Sequence, residues 1–486
     1  MFDILHYITG IASDRPATPA HQPRANTDVR TRSHTVSTGP NSATELPCHE
    51  WLHESVRPGP GELVFLATSD LSAHTRGRAV RAESLKSSTS VGWVPANLGI
   101  GPSGHITDDI PFDSSGDLRL LPDFDSAVRT TLIPGQPPLT IVFSDQVNTD
   151  GTPWHGDARS FLRQAIAQLA EEFGIQVNAA FEHEFTDLGN TAPTQPFSLQ
   201  AHRALEPIGS EAMAALAEMG AQPENWLPEY APNQFELTVS PAPALTAADR
   251  AVLVRDTVAA VFAGHDREVT FSPVPIAGDG GSGVHVHFGL NDLDDETLVF
   301  DAERPGRISA KAAKFAAGIV KYAPSLTAIF APLVVSYQRL RPHNWSTAAS
   351  FLGLQNREAL LRIVPTNEIG GADPRPQLHF EFRGGDIGAN PYLLLGILLK
   401  AGMEGLRQDL EPAEVVVGDP DSSVSAEGQL PTSLREAIER LESDDVVREW
   451  FHPELLATYL AVKRAEIAEF GDLEPSQQCA AYRKFY

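Results

Sequence analysis

Cysteine and positive charge are both scarce in this sequence. Cys48 and Cys479 are the only cysteines in 486 residues and lie near opposite ends of the chain. The sequence therefore predicts no disulfide framework and no cysteine metal site, and we expect a reducing, cytoplasmic compartment. The 37 lysines and arginines face 63 aspartates and glutamates, a formal net charge of −26. This balance argues against nucleic-acid binding. It is compatible with a cationic substrate, although acidic solubility is the simpler explanation.

Long hydrophobic runs are missing as well. The longest apolar segment, 391–406, is interrupted by Lys400 and Glu404 and is shorter than the ~20 residues that a membrane-spanning helix needs. We expect no membrane segment and interpret 391–406 as part of a buried helix. Residues 13–47 are rich in Pro, Thr, Ser, Asn and Arg without apolar periodicity. This composition predicts a flexible N-terminal extension at 1–49.

Two ordered domains are predicted after this extension. Short strands at 62–69, 118–121, 127–132 and 139–143 recur between Gly/Pro turns, with a basic turn at Arg76-Gly-Arg78, and predict a small β-rich domain at 50–149. Between 150 and 486, strands and helices mix without a regular βαβ repeat, which predicts an α+β domain on an antiparallel sheet. Its principal helices are expected at 158–173, 211–218, 247–263, 310–322, 390–408, 433–441 and 453–469.

Four predicted strands each carry an apolar row and an ionisable row, because side chains alternate between the two faces of a strand. Such alternation usually means that the polar row faces solvent, but these rows consist almost entirely of Glu, His and Arg. Neighbouring carboxylates repel one another unless cations lie among them. We therefore expect the rows to face a cation-binding site. The rows are Glu182 and Glu184; Gln234, Glu236 and Thr238; His285 and His287; and His379, Glu381 and Arg383.

The ligand types indicate which cations these are. Oxygen-rich ligation with little nitrogen and no thiolate favours Mg²⁺ or Mn²⁺ over zinc. More than one ion is needed to balance the four glutamates of these rows together with Glu229, which stands seven residues before Glu236. The glycine-rich loop 278–283 lies directly before His285, and guanidinium groups suited to phosphate and carboxylate follow it. Surface salt bridges are the alternative role for any single arginine. Together these features indicate phosphoryl transfer, and the loop lacks the GK[ST] ending of a P-loop ATPase. The arginines are Arg339, Arg357, Arg362 and Arg383.

Five blocks of the chain, in order, resemble the glutamine synthetase family. The resemblance implies an N-terminal β-grasp domain and a C-terminal catalytic domain with a curved antiparallel sheet flanked by helices. It also implies homo-oligomers, hexameric rings often stacked as dodecamers, with active sites between neighbouring subunits. The matching blocks are 182–184, 229–236, 270–275 with 278–287, 356–365, and 381–383 with 389–392.

The resemblance implies a reaction and a role for each residue. The γ-carboxylate of glutamate would attack the γ-phosphate of ATP to give γ-glutamyl phosphate, which an amine then attacks. Arg339 and Arg357 would act in catalysis. Four groups of residues would hold the ions and substrates: Glu184, Glu229 and Glu236 one metal ion; Glu182, His285 and Glu381 a second; Gly281, Arg339 and Arg383 glutamate; and His287, Arg357, Arg362 and His379 the ATP phosphates.

Four positions depart from the family pattern. Trp345 occupies the place of the glutamate that binds ammonium and accepts its proton, and Lys86 falls roughly where the aspartate of that pocket is expected. Gly280 replaces an asparagine that contacts glutamate, and His379 replaces an arginine that contacts phosphate. An aromatic side chain in place of a carboxylate removes a cation site and adds an apolar wall.

These departures make the chain similar to the γ-glutamylamide synthetases of the family, which join glutamate to polyamines, ethanolamine, alkylamines or anilines. We expect Trp345 to border the amine, as a catalytic-site and substrate-binding residue. The acidic charge favours a polyamine, whereas Trp345 favours a small apolar or aromatic amine. Two alternatives remain open: a glutamine synthetase that uses ammonia with a modified flap, and a non-catalytic relative that only binds ligands or assembles.

Overall fold

The computed structural model describes residues 52–190, 192–341, 347–418 and 428–486. The predicted N-terminal extension, 1–49, and Trp345 lie outside these ranges. Two sheets and a layer of helices build the described part of the chain. Within it, no helix is long and apolar enough to cross a membrane.

A six-stranded sheet forms the N-terminal domain. Its strands are β1 (Leu63–Ser69), β2 (Thr75–Arg81), β3 (Val91–Trp93), β4 (Leu118–Pro122), β5 (Val128–Thr130) and β6 (Leu139–Asn148). The strand order is β2-β1-β6-β4-β3, and β5 also pairs with β6. Neighbours are antiparallel except β1 and β6, which run parallel.

The prediction of a turn at Arg76-Gly-Arg78 is wrong. These residues lie inside β2, which pairs with β1 from Leu63↔Arg81 to Ser69↔Thr75. The chain reverses earlier, where the amide of Asp70 donates to the carbonyl of His74 at 3.0 Å. Pairing along the whole of β1 outweighs the local turn signal of Gly77.

Ten strands form the sheet of the catalytic domain. They are β7 (Gln176–Asp187), β8 (Pro223–Pro228), β9 (Gln234–Val239), β10 (Ala242–Pro243), β11 (Val269–Thr270), β12 (Val284–Asn291), β13 (Leu352–Leu354), β14 (Leu361–Ile363), β15 (Phe380–Phe382) and β16 (Val415–Val417). The order is β16-β13-β14-β15-β12-β7-β9-β8, with β10 and β11 also paired to β7. The pairs from β14 to β8 are antiparallel as predicted, whereas β13 runs parallel to both β14 and β16. The α+β class with an N-terminal β domain is confirmed.

Helices cover the apolar face of this sheet. They are α1 (Ala158–Phe173), α2 (Leu199–Ala204), α3 (Ile208–Glu218), α4 (Ala244–Gly264), α5 (Ala310–Phe330), α6 (Ser336–Arg339), α7 (Pro391–Arg407), α8 (Leu434–Ser443), α9 (Asp445–Arg448), α10 (Pro453–Phe470) and α11 (Pro475–Tyr482). The bounds of α1 match the prediction because residues next to each end determine them. Asp157 caps the amide of Ser160, and Gly174 adopts the left-handed conformation at φ 62°.

The helix α7 is buried, as its apolar sequence predicted, and packs against α5 and α1. The contact with α5 is close because glycines remove side chains from it: a Cβ on Gly405 would lie 2.1 Å from the carbonyl oxygen of Lys314. α5 continues past its predicted end at residue 322, through Pro324, to Phe330. The added residues are buried among apolar neighbours, so packing outweighs the helix-breaking tendency of proline.

Candidate active site

The four ionisable rows meet on one face of the catalytic sheet, and the apolar rows pack on the helices behind it. Five of these side chains, Glu182, Glu236, His285, His287 and Glu381, are at most 9% exposed, which excludes a solvent-facing role for them. The strand register makes direct neighbours of four pairs: Glu184 and Glu236, Glu182 and His285, His287 and Glu381, and Arg362 and Glu381.

Two groups of three potential metal ligands share the carboxylate of Glu182. In one, Glu182, Glu236 and His285 offer ligand atoms within 4.8 Å of one another, and in the other Glu182, His287 and Glu381 do so. The Nδ1 atom of His285 lies 3.0 Å from Glu182 Oε1, and the Nε2 atom of His287 lies 3.3 Å from Glu182 Oε2. Glu182 is thus the centre of the cluster.

The other two predicted ligands lie at its edge. Glu184 Oε2 accepts hydrogen bonds from the Gly283 amide at 2.8 Å and from Gln234 Nε2 at 3.1 Å. Glu229 follows β8, and its amide donates to the carbonyl of Gln234 at 2.8 Å. The structure therefore brings all six predicted metal ligands to one region. Gln234, to which the sequence analysis gave no role, also donates to the carbonyl of Gly281 at 2.9 Å. Its position in the same polar row as Glu236 is the sequence feature that could have identified it as a site residue.

The carboxylates at one side of the cluster lack compensating charge. Burial, reinforced by the neighbouring carboxylate of Glu184, raises the pKa of Glu229 to about 8. Burial, followed by the carboxylate of Glu182, raises the pKa of Glu236 well above its usual range. Carboxylates that repel each other in a buried site are a donor set suited to a hard divalent cation such as Mg²⁺ or Mn²⁺.

Binding of such a cation is expected to expel protons. A raised carboxylate pKa means that the metal-free fold loses stability as the pH rises from the unfolded value near 4.5 through the folded value of about 8. Near neutral pH a divalent ion must displace the proton on Glu229, so its affinity should rise about tenfold per pH unit for each proton displaced. Titration calorimetry with Mg²⁺ in buffers of different ionisation enthalpy measures this release.

In the Glu229→Gln variant the proton release and the pH dependence should both be smaller than in the wild type. Glu224→Gln is the control. Glu224 lies in β8, just before Glu229 in the chain, but its Oε1 atom accepts a hydrogen bond from the Ser240 hydroxyl at 2.7 Å. Mg²⁺ binding without proton release in the wild type would contradict the prediction.

Arginines neutralise the opposite side of the cluster. Arg362 Nη1 donates to Glu381 Oε2 at 2.7 Å, and Arg383 Nη1 contacts Glu381 Oε1. Burial alone would raise the pKa of Glu381, but the charge of Arg383, with those of His287 and Arg362, outweighs it and lowers the pKa. Burial is likewise outweighed at Glu182, where the hydrogen bond from His285 and the neighbouring imidazole of His287 hold the pKa well below its usual value.

A chain of hydrogen bonds places a proton on the Nδ1 atom of His287. His379 Nδ1 lies 2.6 Å from the carbonyl of Gln377 and donates to it, so His379 Nε2 accepts from His287 Nδ1 at 2.9 Å. Burial, with the imidazole of His287 beside it, lowers the pKa of His379 to about 4 and keeps it neutral. The buried Nε2 atom of His287 faces Glu182, and among the described residues it has no hydrogen-bond partner. This orphaned nitrogen is a second observation that fits a metal ion.

Arg339 explains why the loop before β12 is rich in glycine. The residue is 4% exposed, and its guanidinium donates to the carbonyls of Gly385 and Arg383, each at 3.1 Å. A Cβ on Gly283 would lie 2.3 Å from Arg339 Nη2, and a Cβ on Gly281 would lie 2.8 Å from Arg339 Cγ. Glycine is needed here because the loop backbone lies directly against this arginine.

Three further residues singled out from the sequence are Arg357, Lys86 and Trp345, and of the two that the structure describes, Arg357 is linked to the cluster. Arg357 accepts a hydrogen bond from Arg383 Nε through its carbonyl, at 2.9 Å, and its charge acts on Glu229. Lys86 is exposed on the N-terminal domain. Trp345 lies outside the described residues, so its predicted contact with the amine stays a prediction.

The comparisons with known proteins agree with this arrangement. The family model for the glutamine synthetase catalytic domain matches residues 155–482, and the model for the glutamine synthetase N-terminal domain matches residues 50–154. A gamma-glutamylpolyamine synthetase of Streptomyces coelicolor is 34% identical over 443 residues, which cover 87% of this chain and 93% of that protein.

Two further comparisons cover nearly the same share of the chain. A glutamate–isopropylamine ligase of Pseudomonas sp is 28% identical over 446 residues, 87% of this chain and 95% of that protein. The crystal structure of a protein described as a novel glutamine synthase homolog has 38% identity and a TM-score of 0.82, and covers 88% of this chain and 100% of its own. The chain belongs to the glutamine synthetase family.

Proposed function

We propose that this protein is an ATP-dependent carbon–nitrogen ligase that joins the γ-carboxylate of glutamate to an organic amine through γ-glutamyl phosphate. The observation that carries the proposal is the buried cluster of carboxylates and histidines centred on Glu182, with Arg339, Arg362 and Arg383 on its border. The similarity to a polyamine synthetase and to an isopropylamine ligase supports an organic amine as the second substrate.

The residues present suit two divalent ions. The family resemblance assigns Glu184, Glu229 and Glu236 to one ion and Glu182, His285 and Glu381 to the other. Because Glu182 also groups with Glu236 and with His287, it would contribute to both sites, with His287 Nε2 as an additional donor on the side of Glu381. When bound, Mg²⁺ or Mn²⁺ would neutralise charge on the transferring phosphoryl group. Retaining buried, mutually repelling carboxylates has a physical reason only if cations bind there, which disfavours a non-catalytic relative.

The arginines would supply the rest of the charge complementarity. Arg339, fixed by two backbone carbonyls, and Arg383, with the backbone at Gly281, would hold glutamate so that its γ-carboxylate faces ATP. Arg357 and Arg362, with His287 and His379, would contact the phosphates. Charge that develops on the phosphoryl oxygens would then meet positive groups already held in place, so little reorganisation is needed as the reaction proceeds.

Phosphate release in the presence of glutamate, ATP and Mg²⁺ tests the reaction. A polyamine, isopropylamine, ethanolamine, an aniline and ammonium are compared as the amine, and the product is identified by mass spectrometry. An organic amine should give faster turnover than ammonium and a γ-glutamylamide product. Fastest turnover with ammonium would favour a glutamine synthetase instead, and no release with any amine would favour a non-catalytic relative.

The Trp345→Glu variant tests the amine side of the site. Restoring a carboxylate at this position should raise ammonium-dependent ADP release, because a cation site is regained and an apolar wall is lost. Trp345→Phe is the matched control, since it keeps the aromatic wall and should keep the preference for the organic amine. Unchanged turnover of Trp345→Glu at saturating ammonium would contradict the placement of Trp345 beside the amine.

The proposal includes the family's assembly. We infer a homo-oligomer in which hexameric rings stack as a dodecamer, with glutamate, ATP and the amine bound between neighbouring subunits. Light scattering on the purified protein, whose chain mass is 52.5 kDa, measures the number of copies directly.

A further inference from the structure

A second group of metal-ligand side chains lies away from the catalytic sheet. His155, His452 and Glu454 offer one ligand atom each, and these atoms lie within 4.8 Å of one another. Among the residues that the structure describes, it is the only such group outside the catalytic cluster. It joins the segment between β6 and α1 to the start of α10, at the boundary of the two domains matched by the family models.

The three side chains already contact each other. The Nε2 atom of His155 lies 2.5 Å from Glu454 Oε2, and the Nδ1 atom of His452 lies 4.0 Å from the same oxygen. The two imidazole rings stack with their centroids 3.5 Å apart. Their side chains are between 35% and 43% exposed, so an ion could reach them from solvent.

Buried aromatic neighbours anchor both histidines. Trp154, next to His155, is 4% exposed, and Phe451, next to His452, stacks on Phe161 with the ring centroids 5.1 Å apart. His452 also caps α10, because its ring accepts from the amide of Glu454 at 3.4 Å. The backbone that carries the ligands is therefore held in place before any ion binds, whereas the stacked imidazole rings must turn so that a nitrogen of each faces the same ion.

We propose that His155, His452 and Glu454 form a surface site for a transition-metal ion of the Zn²⁺ class, separate from the Mg²⁺ or Mn²⁺ sites of the catalytic sheet. Two imidazoles and one carboxylate are a nitrogen-rich set, which favours Zn²⁺, Ni²⁺ or Cu²⁺ over Mg²⁺. Three protein ligands leave a tetrahedral ion one position for water. Zn–ligand bonds of about 2.1 Å require ligand atoms roughly 3.4 Å apart, so the three ligand atoms, which lie within 4.8 Å of one another, must move closer together on binding.

The ion would replace the proton that now lies between His155 and Glu454. It would also link the interdomain segment to α10, and an ion that binds only the folded state raises the thermal stability of the protein. The expected consequence is a Zn²⁺-dependent rise in the unfolding temperature that does not require the catalytic carboxylates.

Zinc binding to the full-length protein in excess Mg²⁺ tests the proposal, because Mg²⁺ would compete with Zn²⁺ for the carboxylates of the catalytic cluster. Equilibrium dialysis and metal analysis should find one Zn²⁺ equivalent per chain that Mg²⁺ does not displace. Co²⁺ in its place should give the visible absorption of a low-coordinate nitrogen–oxygen site. His155→Ala and His452→Ala should each weaken binding by about tenfold or more and remove the rise in unfolding temperature.

His265→Ala is the matched control. His265 Nε2 lies 2.6 Å from Glu211 Oε2, a pair like that of His155 and Glu454 but without a second imidazole. Zinc binding by this variant should equal that of the wild type. Glu454→Gln, which keeps the side-chain volume, should weaken binding without disturbing the fold, as circular dichroism would verify. The proposal is overturned if the wild type binds no Zn²⁺ in excess Mg²⁺, or if the histidine variants bind it as tightly as His265→Ala does.

Discussion

Replacing Glu182 by glutamine is expected to lower kcat/KM for amine-dependent phosphate release by about 10³-fold, equivalent to ~4 kcal/mol of transition-state stabilisation. Glu182 is the one carboxylate common to both ligand groups of the catalytic sheet. Glutamine has the same size and can still contact His285, but it cannot supply the negative charge that both groups share. The change therefore weakens two ion sites at once, whereas Glu236→Gln alters only the group that contains His285.

Steady-state kinetics and the Mg²⁺ concentration for half-maximal rate measure this effect. Glu182→Gln should also need more Mg²⁺ than Glu236→Gln does. Glu224→Gln serves as the control for the loss of one glutamate charge elsewhere on the same sheet, on β8, and should keep near-wild-type kinetics. A loss below tenfold in Glu182→Gln, with an unchanged Mg²⁺ requirement, would contradict the central position of this residue.

Replacing Arg159 by alanine is expected to destabilise the protein by about 3–5 kcal/mol, because it leaves the buried carboxylate of Asp249 without its charged partner. Arg159 is 3% exposed and joins the two domains through three aspartates. Its Nη1 atom donates to Asp145 at 2.7 Å, and its Nη2 atom donates to Asp123 and Asp249, each at 2.9 Å. Asp145 lies on β6 and Asp123 follows β4, whereas Asp249 lies on α4, so the network crosses the domain boundary.

Arg163→Ala is a matched control for Arg159→Ala. Arg163 contacts Asp123 at 2.6 Å and Asp145 at 3.1 Å, but its side chain is 40% exposed. Removing it should cost only about 1 kcal/mol or less, since solvent screens exposed ion pairs. Urea denaturation at one protein concentration, followed by tryptophan fluorescence, compares the two variants. Equal shifts of the two midpoints would show that burial of Arg159 is not what makes the network important.

Elements whose boundaries depend on local chemistry were predicted accurately from the sequence. The helix α1 begins at a side-chain cap and ends at a left-handed glycine, and its predicted bounds are those of the structure. The polar row predicted at Gln234, Glu236 and Thr238 likewise lies in β9, because alternation along the strand follows local sequence. The turn predicted at Arg76-Gly-Arg78 is wrong because a pairing with β1 competes with the local preference, and that partner cannot be identified from the residues around Gly77 alone.

In the candidate site too, local spacing was predictable from the sequence, whereas the pairing of strands was not. Two-residue spacing places Glu182 with Glu184, and His285 with His287, on one face of each strand, since side chains alternate along an extended backbone. The spacing contains no information on which strands are neighbours. β7, β12 and β15 come from distant parts of the chain, and their adjacency makes Glu182 common to two ligand groups.

The hydrogen bond from His287 to His379 also depends on tertiary structure. It needs the register of β12 with β15, and it leaves the Nε2 atom of His287 facing Glu182. The sequence assigned both histidines to ATP on family resemblance and had no means of finding this contact.

The loop around Gly281 and Gly283 shows why some features follow from the sequence alone and others only from the tertiary structure. The chain itself specifies the flexible backbone, the histidines after it and the chemistry that those residue types favour, because these depend on identity and on distance along the chain. The need for glycine comes from Arg339, whose guanidinium lies against the loop from a helix beyond α5. Local propensities act over a few residues, whereas the burial, charge balance and close approach that define the site are properties of segments brought together only by folding.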